Sequence, residues 1–406
     1  MTEAMIETQP RGFRAPGTTF MVTGGLLGAV GAYLFQVIGA NAIGSEAFAP
    51  ISLLWTAFFI LATVALVPIE QYVTREVASG RKAIPSAAKA TYWFVVAAAV
   101  VAGLFVTVTR DSLFEGSWQY VIQAVLLVIG YALLFFGKGV LAGRRRFADV
   151  GWVLIIETAV RLLAGIVAIQ LFTDAESLGW AMVLGGFSVL GLRWWRRDVG
   201  DDDAEPAPAS RFLSGYVGGS ASSQLLLGGA PLAAAAFGAS PSLVSVIFVT
   251  FTLYRAPLTL IFALQGRILP YLVGLSGGAD RARLARIAGV VVVSGVGLAA
   301  LGALVGWLVG PEVVGLLYNE EFIPGRGVAA LAAGGVMAAA AAQIAGQVLV
   351  AEGRTTRLAI AWFLGLLVGV VTMLIYRPEP ALRVATGFAT GEAVALFVMW
   401  ALAARS

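Results

Sequence analysis

Five ionisable side chains lie inside long apolar stretches of this sequence, where charged groups are rare. They are Glu70, Glu157, Arg161, Arg255 and Glu392. An ionisable side chain at the centre of a bilayer costs about 2.5–3.5 kcal/mol on insertion scales, so one that is retained usually has a function. The chemistry open to such groups is binding of a charged ligand, transfer of a proton or cation, or pairing between helices.

Arg255 belongs to a polar pattern along one apolar stretch. Its members recur at intervals of three, four and seven positions, which places them on one face of a helix: Ser245, Thr252, Arg255, Thr259 and Gly266. A guanidinium stays charged and binds phosphate oxygens through its planar fork, so Arg255, with Thr252 and Thr259 beside it, is predicted to contact a phosphate. The other interpretation is a structural arginine bonded to carbonyls or a carboxylate.

The acidic residues offer a second kind of chemistry, the coupling of transport to a proton or sodium ion. Glu157 and Arg161 are four residues apart, so the spacing predicts a self-neutralising pair, with coupling at Glu157 as the alternative. Glu392 has no opposite charge within one turn. It is therefore expected to bond to another helix, to be protonated, or to couple an ion.

The absence of cysteine and histidine excludes several classes of site. Disulfides, iron–sulfur clusters and thiolate or imidazole metal sites are not available, and neither is a histidine proton relay. No phosphate-binding loop with a following lysine is present, so an ATP site is not expected. We predict no metal, no cofactor and no catalytic residues.

The composition of the chain indicates which kind of structural element holds these residues. Of the 406 residues, 59% are apolar and only 12% are charged, whereas charged residues make up about a quarter of ordinary globular chains. The chain is therefore expected to lie mainly in lipid, where only helices and closed barrels satisfy the backbone. Long unbroken apolar runs such as 95–106 favour helices over barrel strands.

A span of about 20 residues per crossing predicts about twelve transmembrane helices. They are placed at 17–40, 49–71, 88–109, 118–140, 150–172, 178–194, 212–236, 241–264, 286–310, 327–350, 357–376 and 381–403. With the N-terminus in the cytoplasm, most of the 27 Lys and Arg residues fall on the inner side, as the positive-inside rule requires. The sequence thus predicts a cytoplasmic-membrane protein with both termini inside, and its net charge of +4 reflects topology rather than nucleic-acid binding.

An acidic, proline- and alanine-rich segment divides the chain. Residues 198–211, DVGDDDAEPAPASR, are predicted to be a cytoplasmic linker between an N-terminal six-helix lobe, 1–197, and a C-terminal six-helix lobe, 212–406. An even number of helices in each lobe makes the lobes parallel repeats. Glu70, Arg75 and Arg267 then lie at the inner ends of helices two and eight. The two arginines are expected to set topology and to line the cytoplasmic mouth of a cavity, and Glu70 is a further candidate for ion coupling.

Several segments resemble the multidrug/oligosaccharidyl-lipid/polysaccharide exporter superfamily, and within it the polysaccharide-biosynthesis flippases. These segments are FAPISLLWTAFFILATVALVPIEQYVTREVASGR at 48–81, GKGVLAGRRRFADVG at 137–151, TLYRAPLTLIFALQGRILPYL at 252–272, VVGLLYNEEF at 313–322 and QVLVAEGRTTR at 347–357. The chain lacks the acidic residue that drug-exporting relatives carry in helix one. It also lacks the two extra C-terminal helices and the arginine-rich first helix of the lipid II flippases.

The resemblance implies two six-helix lobes arranged as a V around a central cavity lined by helices one, two, seven and eight. It also implies alternating access and a cargo of polyprenyl-(di)phosphate-linked oligosaccharide or a related envelope glycolipid. Arg255 would then be a natural diphosphate contact. The expected partners are this lipid-linked glycan, membrane lipids, and the glycan polymerase or glycosyltransferases of the same pathway.

Two other functions remain open at this point. A cation-coupled drug or small-solute antiporter needs a titratable carboxylate in the cavity, for which Glu157, Glu392 and Glu70 are the candidates. A membrane-embedded enzyme of glycan synthesis needs catalytic carboxylates on sizeable aqueous loops. The longest outer loop is predicted at 311–327, and no base or metal set accompanies its acidic residues.

Overall fold

The computed structural model describes residues 17–78, 84–191, 220–258, 272, 275 and 281–404. These residues form helices and short connections, with no strand among them. The helices are α1 (Thr18–Ala47), α2 (Ala49–Ala78), α3 (Ile84–Leu113), α4 (Gln119–Gly143), α5 (Phe147–Leu171), α6 (Ala175–Gly191), α7 (220–236), α8 (Pro241–Leu258), α9 (Arg281–Tyr318), α10 (Arg326–Ala351), α11 (Thr355–Ile375) and α12 (Pro380–Ala404).

Ten of these helices are long and apolar enough to cross a bilayer. The other two, α6 and α7, adjoin residues 192–219, which lie outside the described ranges together with the predicted linker 198–211. The prediction of an all-α integral membrane protein with about twelve helices is confirmed. The chain is a multi-pass membrane protein.

One predicted loop is wrong in its extent. The sequence suggested a long loop at 311–327, but α9 continues through Pro311 and ends at Tyr318. A proline within a helix deprives the carbonyl four residues earlier of its donor. Here Arg326 supplies the donor, because its Nη1 donates to the carbonyl oxygens of Trp307 at 2.8 Å and Leu308 at 3.1 Å. The helix therefore extends further than the proline suggested.

The helices pack into two lobes. In the first lobe α1 packs on α5, while α4 packs on α2, α3 and α6. In the second lobe α9 packs on α10, and α12 packs on both α10 and α11. Contacts between the lobes come mainly from α1 with α8 and from α2 with α7 and α8. The four helices predicted to line a central cavity are thus those that meet between the lobes.

Small residues bring helices of one lobe close together. A side chain at Gly24 on α1 would meet the carbonyl oxygen of Gly151 on α5 at 2.6 Å, and one at Gly31 would meet Thr158 at 2.1 Å. The glycine-rich face of α1 therefore serves close packing against α5, as small-residue faces do in membrane helices.

Candidate functional site

The regular helical pattern of α8 is interrupted at Arg255, and the sequence explains why. The helix starts at Ser240, whose hydroxyl accepts from the Leu243 amide at 3.3 Å, and it is regular to Tyr254. Pro257 has no amide proton to donate to the Leu253 carbonyl, so the regular pattern cannot continue. The Leu258 amide instead donates to the Arg255 carbonyl at 2.9 Å, which makes a tighter turn. Arg255 consequently lies at an interruption in the helix.

The guanidinium of Arg255 is buried without being satisfied. Its Nε and Nη2 atoms have no access to solvent and no hydrogen-bond partner among the described residues, although the residue as a whole is only half-buried. The centre of the Phe251 ring lies 5.8 Å from its Cζ atom. A buried donor without an acceptor is costly, more so when it is charged, so this group has capacity for an anionic partner.

Tyr33 brings the first lobe to the same place. Its hydroxyl donates to the carbonyl oxygen of Thr252 at 2.9 Å, which joins α1 to α8. The Tyr33 hydroxyl and the Arg255 guanidinium also interact electrostatically. Arg255 therefore lies at the contact between the lobes. The sequence analysis missed Tyr33, because a tyrosine in an apolar helix gives no signal of its partner on another helix.

Glu392 on α12 is a buried acidic residue within electrostatic reach of Arg255. It is 0% exposed, and neither carboxylate oxygen has a hydrogen-bond partner among the described residues. Glu392 and Arg255 interact electrostatically, but no hydrogen bond joins them in the described part of the chain. Two buried, unsatisfied and opposite groups thus lie near one another, an arrangement that can accept an ion or close into a pair.

The structure describes only some of the other residues of the predicted phosphate site. Thr252 lies one turn before Arg255 and is half-buried. Ser245, two turns earlier, is fully buried, and its hydroxyl has no partner among the described residues. Thr259 and Arg267 fall outside the described residues. Arg75 is exposed in the last turn of α2, and its predicted role at the mouth of a cavity stays a prediction.

Glu157 and Arg161 form a closed network within the first lobe. Arg161 Nη1 lies 2.7 Å from Glu157 Oε1 and donates to the Tyr131 hydroxyl at 2.9 Å, while that hydroxyl donates to Glu157 at 2.5 Å. Thr158 donates to the other carboxylate oxygen at 3.0 Å. The Trp55 ring centre lies 5.1 Å from the guanidinium. The carboxylate is already bonded on both oxygens, which favours a structural role.

Glu70 also has a partner that the sequence did not indicate. Its carboxylate lies 2.8 Å from Lys138 Nζ, which joins α2 to α4 within one lobe. Gly139 permits this approach, because a side chain there would meet the Glu70 carbonyl oxygen at 2.8 Å. Of the carboxylates considered for ion coupling, Glu392 alone has both oxygens unsatisfied among the described residues.

Polar contacts hold the lobes together where α1 ends. The Ser45 amide donates to Glu321 Oε2 at 3.0 Å, and the Ser45 and Ser242 hydroxyl oxygens lie 2.8 Å apart. Asn41 donates to the Leu317 carbonyl at 2.9 Å. We call the end of the bundle that carries these contacts the Ser45 end. The lobes are closed against each other at this end.

Solved structures with the same fold are transporters. The lipid II flippase MurJ in an inward closed conformation aligns with 95% of this chain and 87% of its own, at a TM-score of 0.71 and 11% identity. An inward-facing multidrug resistance MATE family transporter of the MOP superfamily aligns with 95% of this chain and 97% of its own, at 0.69 and 12%. The chain therefore has the fold of MOP superfamily transporters, which comprises two lobes.

Two relatives found by sequence similarity are uncharacterized proteins. The uncharacterized protein Mb3654 of Mycobacterium bovis is 25% identical over 398 residues, covering 92% of this chain and 89% of the relative. The uncharacterized protein Rv1510 of Mycobacterium tuberculosis is 25% identical over 403 residues, covering 94% and 90%. No family model matches the sequence.

Proposed function

We propose that this chain, which has the fold of MOP superfamily transporters, is a flippase for a polyprenyl-(di)phosphate-linked oligosaccharide or a related envelope glycolipid. The observation that carries the proposal is the Arg255 guanidinium, which lies between the lobes and whose buried Nε and Nη2 atoms have no hydrogen-bond partner in the part of the chain that the structure describes. A phosphate group supplies oxygens in the geometry that this fork requires. The similarity of fold to a lipid II flippase supports the same substrate class.

Transport would proceed by alternating access between the two lobes. In the conformation described here, Ser45, Ser242 and Glu321 hold the lobes together at the Ser45 end. The headgroup phosphate would approach Arg255 from the opposite end and satisfy its donors. Movement of the lobes would then break the Ser45 contacts and release the headgroup on the other side.

The proposal includes an orientation and a location. Most basic residues fall on the inner side when both termini are placed in the cytoplasm of a cell with a cytoplasmic membrane. The Ser45 end is then the outer end. The glycan polymerase or glycosyltransferases of the same pathway are the proposed partners, and no catalytic step is assigned to this chain.

The second candidate function is a cation-coupled drug or small-solute antiporter. Glu392 favours it, because a fully buried carboxylate without hydrogen bonds is suited to bind and release a proton. A solved structure of similar fold is a multidrug resistance MATE family transporter. Deletion of the gene separates the two functions: lost surface glycan supports the flippase, whereas lost drug resistance with normal glycan supports the antiporter.

The test of the flippase is the export of surface glycan by Arg255 variants in cells. Arg255→Ala is expected to abolish export while the protein remains inserted at normal levels. Arg255→Lys is expected to export partially, because it retains the charge and loses the fork. Arg377→Ala is a matched control, since Arg377 is exposed and contacts only the end of its own helix in the described contacts. Normal surface glycan in Arg255→Ala would refute the phosphate role.

A further inference from the structure

A cavity of about 320 Å³ lies between the lobes, on the side of the bundle where α2 meets α7. The first lobe provides walls from α2, α3 and α4, and the second lobe provides one from α7. Its volume falls within the range of about 300–1,000 Å³ that is typical of ligand pockets. None of the residues discussed around Arg255 lines it, so it is a separate site.

The lining consists of hydrocarbon only. Side chains such as Phe58, Leu61, Phe105 and Leu127 form the walls, and no lining side chain carries a hydrogen-bond donor or acceptor. Pockets for drug-like molecules usually contain a few polar groups that fix the orientation of the ligand. Apolar cavities remain dry and accept apolar molecules. The chemistry therefore fits a hydrocarbon chain better than an amphipathic solute.

Part of the cavity lining is exposed, so the cavity is open on one side. Two of its lining residues, Val101 on α3 and Leu225 on α7, are 57% and 44% exposed. Both lie within helices at a depth where the surroundings of a membrane protein are lipid chains. A chain in the bilayer can thus reach the cavity sideways, without passing through either aqueous phase.

The backbone is irregular in both lobes at this cavity. A π-helical turn at Ala62–Leu66 interrupts α2, and Leu61 and Val64 at this turn both line the cavity. On the opposite wall α7 is interrupted at Gly229, between the lining residues Leu225 and Leu232. Single π-helical turns frequently occur at functional sites. Both walls therefore contain a segment that departs from regular helix. A cavity that arose only from imperfect packing would not need such segments.

We propose that this cavity binds the isoprenoid tail of the lipid carrier while the headgroup phosphate of the same molecule meets Arg255. The proposal rests on the proposed flippase function and deepens it. One amphipathic molecule satisfies two features of the interface between the lobes, an unsatisfied cation and an apolar cavity that opens to lipid. The tail is then held by the protein during transport, and recognition extends beyond the headgroup.

Photolabelling tests the tail site in the full-length protein in nanodiscs. The probe is a polyprenyl phosphate with a diazirine on its isoprenoid chain, and adducts are mapped by mass spectrometry. We expect adducts on α2, α3 and α7 residues of the cavity, removed by excess unlabelled polyprenyl phosphate and not by excess phosphatidylglycerol. Adducts confined to other surfaces, or equal removal by the phospholipid, would overturn the proposal. This mapping does not depend on any variant folding.

A pair of substitutions on one helix provides the matched control. Ala102→Trp fills the cavity, whereas Ala97→Trp adds the same indole to an exposed position of α3. Cavity labelling is expected to fall more than about tenfold in Ala102→Trp, because an indole occupies the space that the tail needs, and to be unchanged in Ala97→Trp. Equal labelling of the two variants contradicts the tail site.

Failure of the tail site is distinguishable from failure of the flippase function. Arg255→Ala is expected to abolish glycan export while the cavity is still labelled, because the tail site does not include Arg255. If Arg255→Ala loses export but the cavity of the unaltered chain is not labelled, only the tail site is refuted. Normal export by Arg255→Ala with a labelled cavity would refute the phosphate role and leave the hydrocarbon site standing.

Discussion

Arg255 on α8 lies level with Glu392 on α12. Each lies one helical turn beyond an aromatic contact that joins the two helices. The rings of Phe251 and Phe388, each four residues earlier, meet edge to face with their centres 5.1 Å apart. Because the two helices are an even number of crossings apart, they run in the same direction. The guanidinium and the carboxylate therefore share the next layer, where they interact without a hydrogen bond between them among the described contacts.

This relationship predicts that Glu392 weakens phosphate binding at Arg255. When Glu392 is ionised, its negative charge offsets part of the attraction of Arg255 for a second anion, so the effect is expected at alkaline pH and not where Glu392 is protonated. At a pH where Glu392 is ionised, Glu392→Gln is expected to bind a polyprenyl diphosphate about tenfold more tightly than the unaltered chain and to release it more slowly. Equilibrium binding and dissociation rates of the purified variants measure both effects. Unchanged affinity would mean that the two groups act independently.

The interruption of α8 at Arg255 predicts an effect of Pro257. Pro257→Ala supplies the missing amide donor, so the helix is expected to become regular there and to move Arg255 away from Tyr33. Export should fall severalfold while thermal stability is kept or raised. Pro241→Ala is the matched control, because Pro241 is exposed and is the first residue of the same helix, where proline is tolerated. Equal export by the two variants would show that the interruption of α8 does not position Arg255.

The Glu157–Arg161–Tyr131 network predicts a loss of stability rather than of coupling. Glu157→Gln leaves the Arg161 charge buried without its partner, which typically costs about 3–5 kcal/mol. Tyr131→Phe removes hydrogen bonds but no charge, so a smaller loss of about 1–3 kcal/mol is expected. Thermal unfolding in detergent measures both. A stable Glu157→Gln protein whose transport no longer responds to a proton or sodium gradient would instead establish coupling at Glu157.

The contacts at the Ser45 end predict that a disulfide placed there would stop transport reversibly. The chain has no cysteine, so Ser45→Cys/Ser242→Cys would carry its only two thiols at positions whose hydroxyl oxygens lie 2.8 Å apart. Oxidation is expected to form a disulfide that holds the lobes together and stops transport, and a reductant should restore it. Each single variant serves as a control. Full transport by the cross-linked protein would exclude separation of the lobes at this end.

The sequence was sufficient for much of the fold because long apolar runs and the placement of basic residues define membrane helices. Arg255 and Glu392 could be selected as candidates from the sequence alone, since charged residues in apolar stretches are visible without a structure, and their roles stay predictions. The sequence did not identify Tyr131 or Lys138 as partners of Glu157 and Glu70, because contacts between helices depend on packing rather than on spacing. The continuation of α9 through Pro311 was missed for the same reason, since the compensating donor, Arg326, is distant in sequence.

The most direct test is equilibrium binding of a polyprenyl diphosphate to purified Arg255→Ala, with Arg377→Ala and the unaltered chain measured alongside. A hydrogen bond to a charged group contributes about 1.5–3 kcal/mol, so Arg255→Ala should raise Kd by roughly 10- to 150-fold. Arg377→Ala should leave Kd unchanged. An unchanged Kd in Arg255→Ala would contradict the account.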